Sequence, residues 1–143
     1  MNAHGFRSLT VWQKAKSLAI DVYRLTDTEH VKRDFSLVDQ LRRSAVSVPS
    51  NIAEGDERES DKDSVRFFHI AKGSLAELAT QLEIAREVGY FTGAQIEPLV
   101  TRCAELAKML GALIRARNNP SPRPVRSLES HPAPRASRPE PSL

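Results

Sequence analysis

Residues 92–118 read TGAQIEPLVTRCAELAKMLGALIRARN. Ile96, Cys103 and Leu110 recur at intervals of seven, and Leu99, Leu106 and Leu113 fall between them. That spacing puts all six on one face of an α-helix, and Val100, Ala107 and Ile114 widen the face beyond a two-stranded coiled-coil seam. Such a stripe belongs to a helix that covers the core of a bundle. Thr92 and Gln95 have capping-box spacing, so the helix opens there. Pro98 is expected either to move the true start to Glu97 or to bend the first turn.

Three more segments share this periodicity. From Leu9 to Leu25, Val11, Ala15, Leu18, Val22 and Leu25 recur every three or four positions, with Trp12, Ala19 and Tyr23 beside them. A second helix is expected after an N-cap at Ser36, with Leu37, Leu41, Ala45, Val48 and Ile52 on one face. Pro49 predicts a kink near Ala45 to Val48, and Gly55 predicts the end of that helix. The third opens at Ser60 and Asp63 and carries Phe68, Ala71, Leu75, Leu78, Leu82 and Ala85 up to Gly89. Only 6% of the residues are aromatic, so the core must be aliphatic. Helices joined by short connections pack antiparallel, which predicts an all-α, up-down-up-down four-helix bundle over residues 1–118. Seven of the nine prolines lie between Pro120 and Pro141, and residues 119–143 are expected to form a disordered tail rich in Pro, Ser and Arg.

The sequence pI of about 9.3 suggests a nucleic-acid binder until the charge is divided. Four arginines against two glutamates in the tail supply +2 of the formal +3, so the bundle is nearly neutral and any nucleic-acid contact needs a local patch. The single cysteine, Cys103, allows no intramolecular disulfide, and its heptad core position makes it a small buried hydrophobe. No apolar run approaches a membrane span and the N-terminus has no signal-peptide stretch, so a cytoplasmic protein without membrane contact is expected.

On the third helix the side opposite Phe68, Ala71 and Leu75 carries Arg66, His69, Gly73, Ala76, Thr80 and Ile84. Small residues beside apolar Ile70 and Ile84 would let another backbone approach closely. The second helix carries a similar outer stripe that includes Ser47 and Ser50. An oligomer interface is therefore expected at Ser47, Ser50, Gly73, Ala76, Thr80 and Ile84. Arg42, Arg43, Arg66 and Lys72 are the candidate contacts for nucleic acid or a partner, although Asp39 one turn before Arg43 offers it an intrahelical ion pair.

Catalytic patterns are sparse. Di-iron bundles need Glu-x-x-His repeats, which do not occur, and the four histidines have no neighbours at metal-ligand spacing. No metal, cofactor or small-molecule substrate is expected. Arg24 and His30, separated by five residues, resemble the Arg-x(4-6)-His signature of the helical HEPN ribonucleases. The signature is short, and here it runs from the end of a helix into a loop.

One resemblance covers residues 6 to 117. Phe6-x-x-Leu9-x-Val11-Trp12-x-Lys14-Ala15, Tyr23-x-Leu25-Thr26, the long block Gln40-Leu41-Arg42-Arg43-Ser44-Ala45-x-Ser47-Val48-Pro49-Ser50-Asn51-Ile52-Ala53-Glu54-Gly55, and Arg66-Phe67-x-x-Ile70-Ala71-x-Gly73-Ser74-x-x-Glu77-Leu78 resemble the four helix bundle protein family. Its founding members are encoded in intervening sequences of large-subunit ribosomal RNA genes. The resemblance implies a ring-like homopentamer and a kinship with the accessory protein of diversity-generating retroelements, which binds a reverse transcriptase. An expected Phe-Pro is absent between Asp27 and Phe35, and the proline-rich tail is foreign to the family.

The reading is a non-enzymatic, homo-oligomeric bundle that binds RNA, DNA or a nucleic-acid-handling protein such as a reverse transcriptase. The alternatives are a HEPN-like ribonuclease using Arg24 and His30, or a purely structural oligomer.

Overall fold

The computed structural model describes residues 5–119. The expected tail lies, beyond Asn119, outside the described residues. The chain is all-α: a 3-10 turn at Gly5–Ser8, α1 at Thr10–Leu25, a single-turn α2 at Glu29–Lys32, α3 at Phe35–Glu57, α4 at Asp61–Glu87 and α5 at Gly93–Asn118. The four long helices form the bundle.

Side-chain bonds between neighbouring helices record their directions. Between α3 and α4, Ser64 Oγ donates to the Gly55 carbonyl at 2.7 Å, Ser47 and Ser74 share a hydrogen bond at 2.8 Å, and Ser44 Oγ donates to Gln81 Oε1 at 2.7 Å. One number falls as the other rises, so the pair is antiparallel. Arg117 with Asp61 and Arg86 with Glu97 give the same sense for α4 and α5. Arg102 reaches Asp21 at 2.6 Å and joins α5 back to α1, closing the bundle.

The predicted stripes are the buried ones. Leu18, Val22, Leu41, Val48, Ile52, Leu75, Leu78, Leu82, Ile96, Leu106 and Leu110 are all at most 2% exposed, and Phe68 is the largest fully buried side chain. Each such aliphatic stabilises the fold by about 1.5–3 kcal/mol through removal from water. At the N-terminal end of α1, the Phe6 ring packs on Trp12 with centroids 5.1 Å apart, and Trp12 in turn lies against the core.

The structure corrects the expected helix ends. α3 is capped by Asp34, whose side chain accepts from the Leu37 amide at 3.1 Å, so Ser36 lies inside the first turn. The helix passes Pro49 unbroken and does not stop at Gly55. That glycine answers a steric demand: a Cβ at position 55 would sit 2.6 Å from Phe68 Cε1 and 3.1 Å from the Ser64 carbonyl oxygen. α5 starts at Gly93, not Glu97, because the Thr92–Gln95 capping box is complete in both directions. Pro98 comes a turn later, and its missing N–H costs one bond without moving the start. α2 was not anticipated. It buries Val31 completely and replaces the loop expected there.

Candidate functional site

Among the described residues, besides the exposed side chains of Phe35 and Val88, two apolar surfaces lie on the long helices. The first is a groove of about 470 Å³ between α1 and α3, lined by Lys16, Ala19, Ile20, Tyr23, Arg24, Val46 and Pro49. Ile20, Tyr23 and Val46 are each more than 40% exposed. The second is the outer stripe of α4, where Ile70 and Ile84 flank Gly73, Ala76 and Thr80. A Cβ at Gly73 would meet no heavy atom of the chain within 4 Å, so this part of the stripe is open. Thr80 Oγ1 donates to the Ala76 carbonyl at 2.8 Å, which satisfies its hydroxyl within the helix.

The stripe expected on α3 divides. Ser50 is exposed, whereas Ser47 is half-buried and turned to Ser74 of α4, with Asn51 Nδ2 donating to its hydroxyl at 3.0 Å.

The four candidate cations do not share a surface. Arg42 braces α3 against α1: its Nε donates to Thr26 Oγ1 at 3.0 Å and its guanidinium lies 4.6 Å from the centre of the Tyr23 ring. Arg43 is held by Asp39 at 2.9 Å in the anticipated one-turn ion pair. Arg66 sits near Asp63 at 3.8 Å and, with Arg58, covers the Phe67 ring. Lys72 is elsewhere, in a groove of about 440 Å³ between α4 and α5 with Ala107, Lys108, Gly111 and Arg115. Sequence reasoning passed over Lys108 and Arg115. Their seven-residue spacing, with Gly111 between, was the available signal, because it places both on the same flank of α5.

Arg24 and His30 do not converge on a common neighbour. The Arg24 guanidinium turns back along α1 to Asp21 at 3.5 Å, and His30 Nε2 lies 2.9 Å from the Tyr90 carbonyl oxygen, to which it donates. His30 thus fastens α2 to the α4–α5 connection. The Tyr90 hydroxyl donates to Asp34 Oδ2 at 2.9 Å, and this bond holds the phenol above its ordinary pKa. Cys103 is 3% exposed, and burial pushes its thiol up to about 11, which makes it a poor nucleophile. Among the described residues, no three His, Cys, Asp or Glu side chains are placed to hold a metal ion, and no helix is long and apolar enough to cross a membrane.

Residues 7–112 match the family described as 23S rRNA-intervening sequence protein. The chain belongs to that family. A protein of unknown function from the S23 ribosomal protein family of Bacteroides thetaiotaomicron, known from its crystal structure, superimposes with a TM-score of 0.69 at 26% identity. The match covers 74% of this chain and 99% of the other. A comparison with curated proteins finds no match. Neither the intervening-sequence protein family nor the Bacteroides protein carries an enzymatic description. The long block by which the chain resembles that family has an internal purpose here: Arg42, Ser44, Ser47 and Gly55 are the residues that key α3 to α1 and α4.

Proposed function

We propose that the chain is a non-enzymatic interaction protein that works as a ring of identical subunits and presents repeated surfaces to nucleic acid or to a nucleic-acid-handling protein. The observation that carries the ring is the presence of two unlike apolar surfaces on different sides of one bundle. Each exposes large aliphatic side chains to water, and neither is its own complement. The groove between α1 and α3 is rimmed by Lys16 and Arg24, whereas the α4 stripe is flanked by exposed Glu77, Glu83 and Glu87. Among the described residues these three glutamates have no lysine or arginine within 4 Å. Seating the stripe of one copy in the groove of the next joins apolar to apolar and acidic to basic. A head-to-tail contact of this kind closes into a ring when its rotation allows. The family resemblance implies five subunits, and its retroelement branch supports a reverse transcriptase as one class of partner.

Light scattering of the purified protein tests the ring, with several multiples of 15.9 kDa expected and a strict monomer at micromolar concentration overturning it. Gly73→Leu starts from a Cβ position with no neighbouring heavy atom within 4 Å, so it should abolish assembly and leave the helical content intact. The same preparation should leave RNA uncut. Cleavage lost in both Arg24→Ala and His30→Ala would favour the ribonuclease reading instead.

A further inference from the structure

The groove between α4 and α5 gathers three cations without a counter-charge. Among the described residues no carboxylate oxygen comes within 4 Å of Lys72, Lys108 or Arg115, and the three line one groove, whereas Lys14, Lys16 and Arg42, equally without an ion pair, line three different ones. Like charges brought together repel, so an anion that enters the groove relieves that repulsion as it gains its own contacts. The remaining lining, Ala107 and Gly111, is low and chemically blank. Arg115 lies over Gly111, whose added Cβ would stand 3.5 Å from its Nη1. The lining holds no aromatic ring to stack on a base and no amide or carboxylate to read a base edge. The groove therefore suits phosphate and nothing more selective. Lys108 and Arg115 are two helical turns apart, about 10 Å along α5. That distance spans roughly three base-pair steps of a duplex at about 3.4 Å each.

We propose that this groove grips the phosphate backbone of a nucleic-acid duplex without reading its sequence. The proposal rests on the nucleic-acid part of the function proposed above and is independent of the ring, which multiplies it. One groove offers only three contacts, but several copies on a single assembly bind with avidity.

Fluorescence polarisation of a mixed-sequence DNA duplex of about 20 base pairs, titrated with the full chain between about 50 and 200 mM salt, provides the test. Wild type should bind at the lower salt, and the logarithm of its association constant should fall linearly with the logarithm of salt. The triple variant Lys72→Ala, Lys108→Ala, Arg115→Ala should lose at least about tenfold in affinity and flatten the slope by roughly 0.9 for each phosphate contact removed. Removing three exposed cations elsewhere, in Lys14→Ala, Arg33→Ala, Lys62→Ala, should cost much less at the same change in net charge. Circular dichroism and light scattering on both variants establish that fold and assembly are unchanged. If the groove variant binds like wild type, or both variants lose equally, the groove is wrong while the broader nucleic-acid reading stands. Tighter binding of a single strand of equal length overturns the duplex assignment. Absence of binding by wild type at about 50 mM salt defeats both the groove and the nucleic-acid reading, leaving an acidic protein surface as the better partner.

Discussion

Gly55 decides how closely α3 and α4 approach. Its bare face receives the edge of Phe68, and its carbonyl accepts from Ser64 Oγ at 2.7 Å. Over the same ring lies Arg117 of α5, 5.6 Å from the ring centroid, with its guanidinium 3.3 Å from Asp56 and 3.7 Å from Asp61. Three helices thus meet at one residue without a side chain. Gly55→Ala should cost about 1–3 kcal/mol through overpacking, partly offset by the better helix propensity of alanine. Thermal unfolding followed by circular dichroism should show a Tm lower by roughly 5–10 °C. An unchanged Tm would mean that the two helices separate at this point more easily than the packing indicates. In the sequence, Gly55 has the look of a helix stop, because a glycine after an apolar run commonly is one. Nothing local to it discloses that a phenylalanine thirteen positions later will lie against it.

At the scale of the elements, α2 and the α4–α5 connection form a latch at one end of the bundle. Tyr90 donates to Asp34, which also caps α3, and the Tyr90 carbonyl accepts from His30. Because the fold favours the protonated phenol, the bond stabilises the protein below the ordinary tyrosine pKa of 10.0, and that contribution disappears as pH rises through the raised folded value. Tyr90→Phe should therefore lower the denaturation midpoint at neutral pH. The difference from wild type should begin to shrink near pH 10 and vanish only above the raised folded value, as urea titrations across that range would reveal. The long helices were legible because each repeats its apolar period over sixteen residues or more, which is enough to overrule a single Pro49 or Pro98. A four-residue helix cannot display a period at all. Its existence depends on a pocket for Val31 that only the assembled bundle creates.

Across the whole molecule, the periodic stripes announced the core, but they could say less about the outside, where the same residue type serves opposite ends. Arg42 and Arg115 are alike on paper; one is spent on Thr26 and Tyr23, the other is left to solvent and the groove. That distinction depends on which helix stands beside each arginine, and it explains why Lys72 is the only predicted contact to reappear in the basic groove. The core, finally, contains its own timekeeper. Cys103, alone among the residues in being a thiol, is sealed inside α5 and protonated well beyond neutral pH, so an alkylating reagent reaches it only when the bundle opens. The rate of labelling at pH 8 then reports the population of the open form, at a single atom and without any introduced tag. In the ring proposed above, association would hold the closed form and make opening rarer, so labelling should slow as protein concentration increases and should run faster in Gly73→Leu than in wild type. A rate indifferent to both would count against an assembly that holds the bundle closed.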